Sequence, residues 1–225
     1  MMTFYAAIGS YRIKTEESHK VPYIQKLGKL YPISIPEFVI WSTLLWEVMT
    51  YDELKKHYDH QIRELKGQVP AFDELLEMLV KRKLIVRGIG YTGRDALYNM
   101  LADAFVIPFR ISGGRKAASA FKLWLQGKIS MLDAHKIMKM RPRTKAEDRI
   151  MRLVEQSPLS TSEIIRCFER NITDVSSADK VIAGIYEDSV QATIAHEEFM
   201  SEYSDPVLEA VSNLYLNREV ILEIA

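Results

Sequence analysis

The chain has 225 residues, 48% of them hydrophobic and 27% charged, with 30 basic residues against 30 acidic. That length suits one large core or two small ones, and a 10% aromatic share excludes wholesale disorder. A single cysteine, Cys167, excludes an intramolecular disulfide and a thiolate metal cluster, and fits a reducing compartment.

No stretch approaches the roughly 20 apolar residues needed to span a bilayer. Residues 38–48 come nearest and end in charges, while residues 1–9 lack the basic start of a signal peptide. A cytoplasmic protein without membrane contact is expected. The neutral total hides a strong asymmetry. Basic against acidic residues number 15 to 13 over residues 1–110, 9 to 1 over 111–145, and 6 to 16 over 146–225. A basic middle followed by an acidic end points either to a polyanion-binding segment or to docking of one part on the other.

Residues 2–8 read as a short strand or a packing helix, and 15–20 as an exposed polar stretch. Two prolines make 31–36 extended, with Pro36 opening a helix over 36–48 whose inner face carries Phe38, Trp41, Leu44, Leu45 and Val48. Thr50-Tyr-Asp-Glu53 is a capping box that starts a second helix. A third helix begins at Pro70, buries Phe72, Leu75, Leu76 and Leu79, and ends in Lys81-Arg82-Lys83. The period then changes from 3.6 to 2. Residues 84–89 read as a strand, 90–95 as a turn, and 96–101 as the returning strand of a hairpin.

Three helices and a hairpin over residues 33–100 form the order of a winged helix-turn-helix. The run LLEMLVKRKLIVR at residues 75–87, followed by the hairpin, resembles bacterial winged-helix regulators of the MarR and PadR kind. The resemblance implies a mainly α fold with a small β-hairpin wing, here followed by a C-terminal helical domain. It also implies a third helix in the major groove and a wing on phosphate. Residues 1–110 are then the winged unit with its extension and 111–143 a basic helical connector. Residues 144–225 form an acidic helical domain, with a possible second, degenerate helix-turn-helix built on the capping box Ser160-Thr-Ser-Glu163.

The DNA-contacting residues expected on this reading are Lys55, Lys56, Arg63, Lys66, Gln68, Lys81, Arg82, Arg87, Tyr91 and Arg94, each cation adding salt-dependent affinity for phosphate. The third helix opposes it, because its outward positions are Asp73, Glu74 and Glu77 where a groove reader carries neutral or basic groups. Two functions follow: a DNA-binding transcription regulator acting as a homodimer, or a winged-helix adaptor whose acidic surfaces and C-terminal region hold a protein partner.

No catalytic residue, metal or cofactor is expected. Gly88-Ile-Gly-Tyr-Thr-Gly93 matches a dinucleotide fingerprint, but that site needs a helix opening on it, and a strand is expected there. His57 and His60 stand three apart on one helix without a third ligand. Cys167 reads as a small buried apolar residue.

Overall fold

The computed structural model describes residues 1–16, 19–63, 70–109, 141–186 and 202–225. The chain opens with four strands, β1 (Met2–Ala7), β2 (Ser10–Glu16), β3 (His19–Lys26) and β4 (Lys29–Pro32). Then come α1 (Ile35–Leu44), the two-residue β5 (Met49–Thr50), α2 (Tyr51–Ile62), α3 (Phe72–Lys81), β6 (Ile85–Gly90), α4 (Gly93–Leu101) and β7 (Phe105–Pro108). The last part contains α5 (Lys145–Gln156), β8 (Leu159–Ser160), α6 (Thr161–Glu169) and α7 (Ala178–Val181), which runs into a π-helical turn at Ile182–Tyr186. It closes with α8 (Ser204–Leu216) and β9 (Val220–Glu223).

The fold is therefore mixed α/β, about 49% helix and 25% strand in three small antiparallel sheets, and not the mainly α fold expected from sequence. Two physical reasons account for this. Residues 2–32 hold four strands whose alternation is masked, because residues Tyr11–Glu16 are exposed on both faces. And the expected returning strand at 96–101 is helix α4. Thr92 accepts a hydrogen bond from the Asp95 amide at 3.1 Å while Asp95 accepts from the Thr92 amide at 3.0 Å, so a capping box starts a helix where the composition suggests a turn. Ala96, Met100 and Leu101 then bury at helical spacing. The place of the missing wing strand, beside β6, is taken by β1. It pairs with β6 from Met2 opposite Gly90 to Ala7 opposite Ile85, and on its other edge with β5.

The chain holds the same unit twice. In each, a central strand comes first in sequence: the sheet orders are β5-β1-β6 and β8-β7-β9. Phe4 lies opposite Thr50, the N-cap of α2, as Phe105 lies opposite Ser160, the N-cap of α6. The helices before those short strands, α1 and α5, both open on capping boxes, Ser34 with Glu37 and Thr144 with Glu147. Both of these glutamates are buried, and each meets an arginine, Arg82 at 2.9 Å and Arg141 at 2.5 Å. The helices before the last strands, α3 and α8, end alike. Lys83 and Arg218 take positive φ, 54° and 62°, two residues ahead of Ile85 and Val220. The second unit carries strands as well as helices, and its central strand β7 lies outside the helical stretch expected over 144–225.

The two units share packing. Ala6 and Ile8 of β1 and its exit join the core of the second unit, and the Gly9 amide donates to the Leu222 carbonyl at 2.7 Å. Trp41, fully buried, donates its indole N–H to the Ile8 carbonyl at 3.1 Å, the partner such a ring needs inside a core.

Candidate functional site

The described residues among those expected to meet DNA do not form one free basic face. Arg82 donates to Glu37 at 2.9 Å and to the Pro32 carbonyl at 2.6 Å. Arg87 pairs with Glu77 of α3 at 2.8 Å, and Arg94 on α4 pairs with Asp205 of α8 at 2.5 Å. Lys55 sits 5.7 Å from the Tyr51 ring, and its pKa is raised chiefly by the Tyr51 hydroxyl, which itself donates to Asp73 at 2.5 Å. Lys56, Arg63 and Lys81 are exposed, and Tyr91 stands 88% exposed in the turn before α4. Lys66 and Gln68 lie outside the described residues, as does most of the basic 111–143 stretch.

The glycine motif is explained by packing. A helix does open after it, contrary to expectation, but the sheet is antiparallel and the first-turn amides of α4 are capped by Thr92 and faced by the Asp95 carboxylate, which repels an anion. A Cβ at Gly88 would lie 2.0 Å from the Ala96 carbonyl oxygen, and one at Gly90 2.3 Å from the Ala96 nitrogen. These glycines let α4 lie directly on β6. His57 and His60 are exposed on α2, and among the described residues no group of three or more His, Cys, Asp or Glu could hold a metal ion. Cys167 is fully buried, and burial pushes its thiol up to about 11, far from thiolate formation at neutral pH. No helix among the described residues is long and apolar enough to cross a membrane.

A different surface stands out. β2, β3 and β4 form a sheet of their own, inserted between β1 and α1. Its inner face is anchored by Ile24, fully buried, and by Tyr31. β2 is an edge strand: it pairs with β3 from Ser10 opposite Gln25 to Glu16 opposite His19, and among the described residues no strand pairs with its outer edge. Because side chains alternate along a strand, β2 offers Tyr11 and Ile13 on one face, 46% and 55% exposed, and Arg12, Lys14 and Glu16 on the other. Tyr11 meets Phe38 and Trp41 edge-on at 5.6 and 6.2 Å. Lys14 lies 5.1 Å from the ring of Tyr23, whose hydroxyl donates to Glu16 at 2.5 Å. That bond raises the Tyr23 pKa.

At the base of this strand a cleft of about 240 Å³ is lined by Ser10, Tyr11, Arg12, Gln25, Leu45, Trp46 and Phe109. The volume is below the roughly 300–1,000 Å³ of a cofactor-sized pocket and matches one large side chain. Trp46 is the unusual residue, with φ 62°, a conformation that a bulky residue adopts only when its surroundings impose it. They do: its amide donates to the Tyr215 hydroxyl at 3.1 Å and its indole N–H to the Val220 carbonyl at 3.3 Å. The Arg218 guanidinium lies 5.4 Å from its ring and Phe109 5.3 Å away. α1 ends at Leu44, before the expected 48, because the chain turns through an extended Leu45 (φ −68°, ψ 113°) and the left-handed Trp46, closed by the Glu47 amide on the Leu44 carbonyl, and Trp46 lines the cleft.

Gly9 sets where β2 begins. Its φ is +83°, and a Cβ there would lie 2.3 Å from the backbone oxygen of Gln25. Gly9→Ala should therefore open the base of the β2–β3 hairpin and cost about 2–3 kcal/mol, from left-handed strain plus the clash. Faster amide exchange over Ser10–Glu16 is the expected readout, and unchanged exchange would show that the hairpin is not held from this end.

Comparison with known proteins matches no family model, no curated protein and no solved structure. No local sequence pattern marks this site, because the edge strand is exposed on both faces and the cleft joins residues from four separate stretches of chain.

Proposed function

We propose that this chain is a non-catalytic protein-interaction module that receives an extended segment of a partner as an added strand on the outer edge of β2. The observation that carries this is the edge itself, seven residues long, on a sheet anchored to the core through its other strands. Main-chain groups along such an edge supply affinity to any extended chain, and the flanking side chains supply selectivity. The lone buried cysteine suits a reducing, cytoplasmic setting for it.

The DNA-binding reading has less support. Three of its expected phosphate contacts, Arg82, Arg87 and Arg94, are matched to Glu37, Glu77 and Asp205, and Asp73, Glu74 and Glu77 face outward from the helix that would enter the groove. The acidic helix is also a weaker adaptor surface than β2, since Asp73 and Glu77 already meet Tyr51 and Arg87.

Selection of random peptides on the folded chain, followed by amide exchange mapping, tests the proposal. Selected peptides should slow exchange along Ser10–Glu16, while duplex DNA at about 50 mM salt, where phosphate contacts are strong, should not bind. Tight DNA binding that weakens on charge reversal at Arg87 and Arg94, with no peptide protecting β2, would overturn it.

A further inference from the structure

We infer that the segment received on β2 is acidic and carries a bulky apolar side chain at the end nearest Ser10, which fills the cleft of Trp46 and Phe109. This rests on the β2-edge reading above and specifies its partner. Three observations carry it. The cleft lies at the start of the strand, touching Ser10, Tyr11 and Arg12, so a chain laid along β2 passes its mouth. Tyr11, Leu45, Trp46 and Phe109 give it apolar walls beside the polar Ser10, Arg12 and Gln25, with a volume of about 240 Å³, and large flat side chains are the anchors such pockets take. And the exposed charges along the strand are net basic: Arg12 and Lys14 stand two apart on one face, against Glu16 at the far end. In an added strand, side chains two apart share a face, so acidic residues at alternate positions meet Arg12 and Lys14 together while the residues between them lie over Tyr11 and Ile13.

Charge also decides against a second copy of this chain as the occupant. Two β2 strands paired antiparallel about Ile13, the register that uses all seven residues, would set Arg12 of each opposite Lys14 of the other, and like charges directly opposite are destabilising. An acidic partner segment turns that repulsion into attraction. The Trp46 conformation fits the same assignment, because backbone strain held by four separate contacts keeps an indole at an open cleft.

The probe is the peptide Trp-Thr-Glu-Val-Glu-Val, dye-labelled at its C-terminus, against the full chain. Binding should weaken at least tenfold when the peptide Trp becomes Ala, when its Glu residues become Lys, or when the chain carries the double change Arg12→Glu and Lys14→Glu. All three changes lie on exposed groups or on the peptide, so circular dichroism of the double variant should match the native chain. Phe109→Ala should remove the preference for Trp over Ala in the peptide while leaving its charge dependence. If randomly selected peptides protect Ser10–Glu16 but neither the anchor nor the charges matter, the partner assigned here is wrong and the edge reading stands. If no peptide protects those amides, both fall. A gain in chain dimerisation through β2, in place of peptide binding, would also overturn the assignment.

Discussion

Gly88→Ala should destabilise the chain by roughly 3–5 kcal/mol, a large part of the about 5–15 kcal/mol that holds a domain folded. An ideal Cβ there lies 2.0 Å from the Ala96 carbonyl oxygen, 2.5 Å from the Met100 Cβ and 2.7 Å from the Met100 nitrogen. Two of the three are backbone of α4, which cannot yield locally. The helix must lift from β6, and with it Met100 and Leu101, now 1% and 2% exposed, come away from the core they share with the second unit. Overpacking alone costs about 1–3 kcal/mol, and partial exposure of two large apolar side chains adds a comparable amount. Denaturant unfolding measures the loss. Gly93→Ala is the control, since a Cβ there meets nothing nearer than 3.5 Å and φ is not in the left-handed region. Its substitution should change stability by less than about 0.5 kcal/mol. A glycine loop kept for phosphate would give a different result, with the stability of the unliganded chain indifferent at Gly88. A loss under about 1 kcal/mol at Gly88 would mean that α4 does not lie this close to β6.

The same residues explain what the sequence made legible. Capping boxes located α2 and α6 because the reciprocal bonds need only local spacing: Thr50 with Glu53 and Ser160 with Glu163 are both formed. The inner face of α3, Phe72, Leu75, Leu76 and Leu79, is buried as the period required. The wing failed because Gly90-Tyr-Thr-Gly93 carries turn composition and a cap at once, and only the close approach of α4 to Gly88 and Gly90, a tertiary fact, decides between them. The strand that completes each sheet, β1 or β7, precedes its partners in sequence by tens of residues, and no local pattern announces such pairing. β2 is illegible in the sequence for the reason that makes it a candidate site: a strand exposed on both faces has no buried side to give it a period.

Tyr215→Phe should cost about 1–3 kcal/mol, an effect out of proportion to one oxygen atom. The side chain is 1% exposed on α8, yet its hydroxyl reaches into the first unit. It accepts from the Trp46 amide at 3.1 Å and donates toward the Leu44 carbonyl at 2.9 Å, with the Ala7 carbonyl at 3.3 Å. Burial raises this phenol well above its ordinary pKa, so it remains a neutral donor across the working range. Removing it leaves the Trp46 amide orphaned at the exit of α1, while the Leu44 carbonyl keeps the Glu47 amide at 3.1 Å; one such orphaned donor costs about 1–3 kcal/mol when sealed from water. The consequence extends to the cleft. The left-handed turn at Trp46 is held partly by that hydroxyl, and without it the backbone should relax toward an ordinary conformation and withdraw the indole. Amide exchange at Trp46 should accelerate, and the tryptophan-anchored peptide should bind less tightly at temperatures where the variant is still folded. Loss of stability with an unchanged Trp46 amide would place the energy of Tyr215 in packing alone. Loss of both would make the joint between the two units the element that holds the cleft open.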